Sequence, residues 1–205
     1  VDYFDLERDY SQIRKLISLD DFTKKAAEYG RGIRILHQDG WEALCSFIIS
    51  QCNNITRIKG IVERLCTLFG NEFDYFGKTC YTFPSAETIA GLTVSDLAPL
   101  RSGYRAEYII NAAKEVSMGH LNLTSIKQMS TKDAIKALTS LKGVGTKVAN
   151  CVLLFGCNKL DAFPVDVWMK RAIEQYYGGK SFDSSVFGEN AGIAQQYIFH
   201  YIRHL

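Results

Sequence analysis

Hydrophobic residues recur every three to four positions along most of the chain, whereas strict alternation of polar and apolar residues hardly appears. The first spacing places apolar side chains on one face of a helix, and alternation is typical of strands. The pattern therefore predicts about nine or ten helices and an all-α fold. The apolar stripes and helix starts that carry this prediction lie at 41–49, 58–68, 84–85, 108–116, 130–141, 144–155 and 166–177, with a last helix beginning near Ala191.

The composition agrees with a helical globular protein and excludes several classes. Hydrophobic residues make up 47% and charged residues 22% of the 205 residues, which excludes a disordered or collagen-like chain. With only 16 glycines and 3 prolines, little turn chemistry is left for a many-stranded sheet. The longest run without a charge, 43–56, is shorter than the roughly 18 residues that cross a bilayer, so we expect no membrane partner.

Net charge and cysteines add two restrictions. The net charge of +2 and the pI near 8.2 lie below the pI of about 9 typical of isolated nucleic-acid-binding domains, so bulk charge alone does not indicate DNA. The six cysteines form no close pair of metal-binding spacing, and we expect free thiols in a reducing compartment and no metal site. Because the chain begins with Val1 rather than Met, we expect further residues before it.

The segment LKGVGTKVAN at 141–150 is the most informative part of the chain. Gly143 and Gly145 flank one apolar residue, Val144, between two predicted helices, so we expect a turn too tight for side chains at both glycines. The N-terminus of the second helix can then hold a phosphate oxygen of a nucleic-acid backbone. A plain helix corner with capping glycines is the alternative. The leucine before the glycines and the threonine and lysine after them favour a phosphate-binding helix-hairpin-helix.

Two polar residues near this turn have the chemistry of a nucleophile and its partner. Lys147 falls in the first turn of the second helix, where the macrodipole disfavours a cation and therefore favours the neutral amine that a nucleophilic lysine needs. A phosphate-contacting lysine is the alternative. Asp166, in the segment FPVDVW, falls where the next helix needs an N-cap, and capping alone would explain it. One helix and a return loop separate the two residues and can bring both to one cleft.

The segments GVGTK and PVD together resemble the helix-hairpin-helix, Gly/Pro-Asp (HhH-GPD) superfamily of DNA glycosylases, and within it the 8-oxoguanine DNA glycosylase/AP lyase family. The resemblance extends from Tyr3 to the C-terminus. It implies two helical subdomains flanking a DNA-binding cleft, 52–141 and 1–51 joined to 142–205, with the hairpin at 130–156. Further segments that match in the same order are QD at 38–39, NNI at 53–55, GIVERLC at 60–66, FPS at 83–85 and GYRA at 103–106.

The resemblance also implies a reaction and a base pocket. Such enzymes flip 8-oxoguanine out of the duplex, preferably opposite cytosine, excise it and cleave the strand by β-elimination. Lys147 would attack C1′ and form a Schiff base, and Asp166 would stabilise the oxocarbenium-like transition state. Cys151 and Phe199 would lie on the two faces of the base and Gln195 at its edge. The alternatives are core packing for Cys151 and Phe199 and a solvated amide for Gln195.

The resemblance assigns a second group of residues to the DNA stack and the opposite base. Tyr104 would be the wedge, and Arg105 and Arg57 would read the orphaned cytosine, whose acceptor edge suits two guanidinium groups. Surface salt bridges are the alternative for both arginines. The family fills the vacated space with an Asn. Cys52 aligns with that position, and a one-residue adjustment gives the role to Asn53.

Other departures from the family concern cofactors and the N-terminus. Trp168 stands where some relatives carry a phosphate-binding histidine, and we expect the family's N-terminal β-rich domain to be absent from this chain. No cysteine follows Cys157, which excludes the iron–sulfur cluster of the sister endonuclease III type. By resemblance, the hairpin carbonyls can hold a monovalent cation. We expect no other cofactor.

Two other functions, an alkylpurine glycosylase and a non-catalytic DNA-binding module, are alternatives for this sequence. In an alkylpurine glycosylase water attacks and the hairpin lysine is absent, so Lys147 argues against it. A non-catalytic hairpin module, as in polymerases and ligases, needs neither the aspartate of PVD nor the wedge. We therefore expect a DNA N-glycosylase with AP lyase activity, acting as a monomer on damaged double-stranded DNA. Its location would be the cytoplasmic nucleoid of a bacterium or the nucleus of a eukaryote.

Overall fold

Helices dominate the computed structural model, which describes residues 1–178 and 182–205. The helices are α1 Tyr10–Ile17, α2 Asp21–Tyr29, α3 Gly40–Ser50, α4 Ile55–Phe69, α5 Ala86–Ala90, α6 Arg105–Ser117, α7 Leu123–Gln128, α8 Thr131–Thr139, α9 Thr146–Gly156, α10 Val167–Tyr177 and α11 Ala191–Ile202. Short 3-10 helices span Ala98–Leu100 and Ser184–Asn190. The predicted all-α class is confirmed. Within these ranges, no helix has both the length and the apolar character needed to cross a bilayer.

The contacts within the chain define two compact units. The first consists of Val1–Gln38 and Asn150–Leu205, and the second of Asp39–Ala149. The predicted subdomains, 52–141 and 1–51 with 142–205, have the same discontinuous arrangement but other borders, and they stay a prediction.

The first unit is built around α11, on which α2 and α10 pack. Three apolar side chains of α11, Ile193, Tyr197 and Ile198, are buried in its core. Gly192, at the start of this helix, lies so close to neighbouring backbone that its N–H donates to the Leu160 carbonyl at 2.6 Å. A Cβ at Gly192 would lie 2.4 Å from Leu154 Cδ1, so only glycine fits there. This approach fixes the N-terminal end of the helix that carries Gln195 and Phe199.

The second unit places α3 against α4 and α6, and α5 against α6. Its helices begin at side chains that the sequence favours as N-caps. Asn54, Ser85 and Ser130 each accept the backbone N–H three residues further on, at the starts of α4, α5 and α8. The predicted helix starts at Ser85 and Ser130 are confirmed, and α4 ends at its C-cap Gly70.

A two-stranded antiparallel hairpin in the second unit was not predicted. It pairs β1 Glu72–Tyr75 with β2 Lys78–Tyr81 in the register Glu72↔Tyr81, and its turn is made by Phe76 and Gly77, both with positive φ. Two central residues with positive φ are typical of the tight turns that match strand twist. Phe76 is 88% exposed, so this hairpin forms by turn geometry and pairing rather than by burial at its tip.

Candidate active site

The predicted helix-hairpin-helix is formed by α8, a short turn and α9. Leu141 and Val144 are buried on its inner side, and the Val144 N–H donates to the Leu141 carbonyl at 3.1 Å. Gly143 has φ +83, and a Cβ there would lie 2.2 Å from Cδ2 of Tyr108. The turn therefore requires glycine at this position for both its backbone conformation and its contact with the Tyr108 ring.

Gly145 differs from Gly143, and the expectation that the turn is too tight for a side chain at Gly145 is wrong. A Cβ on Gly145 would meet no protein atom within 4 Å, and the residue is exposed. The Gly145 carbonyl accepts the Ala149 N–H at 2.9 Å, which begins the hydrogen bonding of α9. The space above Gly145 lies at the positive end of the helix macrodipole, where an anion is favoured. Phosphate binding by Gly143, Val144 and Gly145 stays a prediction.

Alanine substitutions at Gly143 and Gly145 are expected to have different effects, the first on the stability of the fold and the second on DNA binding. We expect Gly143→Ala to lower the free energy of unfolding by about 2–4 kcal/mol, because a left-handed Cβ is strained and the Tyr108 ring has to move. Gly145→Ala should lower it by less than about 1 kcal/mol. It should still weaken duplex binding, because its Cβ enters the space that a phosphate needs. Urea unfolding and fluorescence anisotropy measure the two effects, and equal losses of stability would contradict this division.

Lys147 is the second residue of α9, and its side chain is exposed. Its Nζ lies 5.4 Å from the centroid of the Phe47 ring, within cation–π range. Phe47, on α3, was not a predicted site residue, because nothing in the spacing of the sequence connects it with the hairpin. The contact with the Phe47 ring restricts the position of the Lys147 amine, and, in the part of the chain that the structure describes, it does so without an ion pair to a carboxylate.

Asp166 is the N-cap of α10, as predicted. Its Oδ1 accepts both the Trp168 N–H at 3.0 Å and the Met169 N–H at 2.9 Å. Among the described residues no hydrogen bond to Oδ2 is found, and the side chain is half-buried. One carboxylate oxygen thus holds the helix while the other is available for chemistry. Asp166 belongs to the first unit and Lys147 to the second, and their common cleft stays a prediction.

The three predicted pocket residues lie in the first unit. Cys151 is buried on α9, and Gln195 and Phe199 lie one turn apart on α11. Gln195 is 3% exposed and its Oε1 accepts from Nε2 of Gln196 at 2.6 Å, so the alternative of a solvated amide is wrong. Phe199 is half-buried. The contacts that these three residues make with a base stay a prediction.

An unpredicted cluster surrounds Trp168, the position at which some relatives carry histidine. The Arg171 guanidinium lies 4.8 Å and that of Arg203 lies 6.0 Å from the Trp168 ring. Arg203 also lies 5.3 Å from the ring of Phe199. Two guanidinium groups therefore lie against the indole ring, next to a predicted pocket residue.

Tyr104 and Arg105, the predicted wedge and cytosine-reading residues, lie at the start of α6. Tyr104 is 52% exposed, and its ring lies 4.5 Å from the Arg105 guanidinium. Arg105 itself is buried: its Nε donates to the Gln51 carbonyl at 2.9 Å, its Nη1 to that of Ser102, and its Nη2 to those of Gln51 and Cys52. The guanidinium therefore stabilises the turn after α3. The reading of a cytosine by Arg105 stays a prediction.

The braced turn exposes Cys52, which has φ +45, rather than Asn53. Asn53 Nδ2 donates back to the Ile49 carbonyl at 3.0 Å, so its amide is occupied inside the turn. Arg57 is exposed and donates to the Arg101 carbonyl at 3.2 Å. The roles of Asn53 and Arg57 at the opposite base stay predictions, and Cys52 is the outward side chain at the position of the family's Asn.

Comparison with known proteins gives matches to two family models that together cover residues 1–187. Residues 45–187 match the model of the HhH-GPD superfamily base excision DNA repair protein. Residues 1–44 match that of the 8-oxoguanine DNA glycosylase, N-terminal domain. Residues 1–44 therefore match part of the N-terminal domain that the sequence alone led us to expect to be absent. In the structure the stretch contains α1, α2 and the start of α3.

Individual relatives carry related activities in their names. A probable N-glycosylase/DNA lyase of Methanothermobacter thermautotrophicus is 30% identical, over 98% of this chain and 72% of its own length. The Clostridium acetobutylicum 8-oxoguanine glycosylase/lyase, solved with double-stranded DNA containing cytosine opposite 8-oxoG, is 38% identical with a TM-score of 0.91, over 99% of this chain and 73% of that one. A DNA-3-methyladenine glycosylase of Bacillus subtilis is 32% identical, but the chain covers only 55% of it.

The family models cover residues 1–187, and the Methanothermobacter relative is 30% identical over 98% of this chain. The chain belongs to the HhH-GPD superfamily of base excision DNA repair proteins, and within it to the N-glycosylase/DNA lyases of the 8-oxoguanine type.

Proposed function

We propose that the chain is a bifunctional glycosylase/lyase that excises 8-oxoguanine, preferably opposite cytosine, from double-stranded DNA. The observation that carries this proposal is Lys147, an exposed amine on the second residue of α9, directly behind the Gly143–Gly145 turn. A helix-hairpin-helix that only grips phosphate has no use for an amine held beside an aromatic ring at this point.

The reaction needs one nucleophile and one carboxylate. The Lys147 amine attacks C1′ of the flipped nucleotide, the N-glycosidic bond breaks, and the base leaves with its bonding electron pair and takes up a proton. Sugar ring opening gives a Schiff base, and loss of a C2′ proton expels the 3′ phosphate by β-elimination. The free Oδ2 of Asp166 stabilises the positive charge that develops on the sugar, while Oδ1 keeps the carboxylate fixed to α10.

The other predicted site residues bind the flipped base and the cytosine that was paired with it. Cys151 and Phe199 enclose the flipped base, and Gln195, buried and oriented by Gln196, hydrogen-bonds its edge. Tyr104 enters the stack. Arg57 donates to the orphaned cytosine. Arg105 does so after its guanidinium releases backbone carbonyls to which it donates at the turn after α3.

The chemistry requires no redox cofactor, since the Schiff base itself activates the sugar. A monovalent cation on the hairpin carbonyls would assist phosphate binding. We infer that the enzyme acts as a monomer and works where the cell keeps its DNA, in a nucleoid or a nucleus.

An alkylpurine glycosylase is the second candidate, and the Bacillus subtilis relative favours it. In that reaction water attacks, no covalent adduct forms, and the hairpin lysine is dispensable. The presence of Lys147 favours the lyase.

Borohydride trapping on duplexes with 8-oxoguanine opposite each of the four bases tests the proposal. We expect a covalent protein–DNA adduct that is strongest opposite cytosine. Trapping at a preformed abasic site but not at 8-oxoguanine would keep the lyase and reject the lesion assignment. Release of 3-methyladenine without any adduct would establish the second candidate.

A further inference from the structure

A basic cleft lies between α1 and α2, in the first unit. It encloses about 600 Å³ and is lined by one face of each helix. Ser11, Arg14, Lys15 and Ser18 recur at helical spacing on the α1 side. On the α2 side, Lys24 and Glu28 do the same, and Arg31, which follows the end of α2, completes the lining. Because the helical positions are three or four residues apart, their side chains project into the same space.

The cleft concentrates positive charge in a chain that is nearly neutral. Two arginines and two lysines face a single carboxylate, that of Glu28, whereas the whole chain has a net charge of only +2. Among the ion pairs of the described residues, none involves any of these four cations or Glu28. Unpaired like charges this close repel each other, so the cleft favours an anionic ligand.

One of the cations is held in place in advance. The Arg14 guanidinium donates to Ser11 Oγ at 3.0 Å and lies beside the hydroxyl of Tyr197. Burial raises the pKa of Tyr197, and the neighbouring Arg14 opposes that rise. A half-buried arginine held by the Ser11 hydroxyl recognises an oxyanion with less loss of side-chain freedom than an unrestrained one.

We propose that this cleft binds the phosphodiester backbone of DNA away from the lesion, as a sequence-independent contact additional to the hairpin. Several cations along one open groove suit a ligand with a row of phosphates better than a single small anion. The cleft contains no aromatic platform on which a base could stack, so the contact is with the backbone. The inference rests on the proposed function only in taking DNA as the polyanion.

The test compares two triple variants with equal loss of charge. The cleft variant carries Lys15→Gln, Lys24→Gln and Arg31→Gln, all at exposed positions, and leaves Arg14 in place. The control carries Lys25→Gln, Lys78→Gln and Lys114→Gln, which are exposed and lie outside the cleft. Thermal unfolding checks that both fold. Affinity for a long, lesion-free duplex is then measured between about 50 and 200 mM salt.

We expect the cleft variant to reduce the slope of log affinity against log salt by about 2 to 3, and the control to reduce it by less than about 1. Single-turnover excision at saturating DNA should be unchanged. Equal effects of the two variants, or none in the cleft variant, would overturn the proposal. So would loss of tripolyphosphate binding by the cleft variant with duplex binding intact, because the site would then serve small phosphate anions. Absence of 8-oxoguanine excision in the unmodified chain would reject the proposed function without affecting this comparison.

Discussion

Lys147→Gln is expected to abolish the borohydride-trapped adduct and to lower the rate of 8-oxoguanine excision by about 10³-fold or more. An amide nitrogen is a poor nucleophile and forms no Schiff base, although the glutamine side chain has a similar length. The fold should persist, because Lys147 is exposed and its ammonium contacts an aromatic ring rather than a buried carboxylate. Trapping, single-turnover excision and thermal unfolding on the same preparation separate these effects.

Lys136→Gln is the matched control for charge. Lys136 is exposed on α8 and pairs only with Asp133 of the same helix, at 3.5 Å. Removing it lowers the positive charge of the same hairpin by one unit without touching the proposed nucleophile. We expect unchanged trapping and excision within about twofold. A trapped adduct that survives Lys147→Gln would show that another amine attacks the sugar.

Local signals in the sequence predicted most of the helices. Caps such as Ser85, Ser130 and Asp166 act within three residues of themselves, so their effect can be read without knowing the rest of the structure. The β-hairpin at 72–81 was not predicted, because each of its strands has only four residues and neither strand alternates between buried and exposed side chains. The alternation in EFDY, followed by Phe-Gly, was the available signal.

Site residues whose position depends on the start of a single helix could be predicted from the sequence. Those held by backbone carbonyls far away in the sequence were harder to predict. Lys147 and the Asp166 cap depend on local helix starts. The burial of Arg105 depends on the carbonyls of Gln51 and Cys52, which no spacing in the sequence connects with α6. The same applies to Arg203, which reaches Trp168 from the end of α11. Such contacts are set by tertiary packing, and side-chain type alone does not indicate them.

Asp166→Asn is expected to lower excision by about 10²- to 10³-fold, because it removes the negative charge that stabilises the developing sugar cation. The structure gives the same residue a capping role through Oδ1, and asparagine caps helices about as well as aspartate. The free energy of unfolding should therefore change by less than about 0.5 kcal/mol. Asp166→Ala should lose about 1 kcal/mol in addition to activity. Urea unfolding and single-turnover excision measure the two roles separately.

Asp39 provides a control with the same local geometry. Its Oδ1 accepts the Trp41 and Glu42 N–H groups at 2.9 Å, and it caps α3 as Asp166 caps α10. Asp39→Asn should leave both stability and excision nearly unchanged. A loss of excision in both variants would assign the effect to capping geometry. A normal rate in Asp166→Asn would show that the carboxylate serves the helix alone. If excision is lost only in Asp166→Asn and stability is unchanged, the negative charge of Asp166 stabilises the transition state.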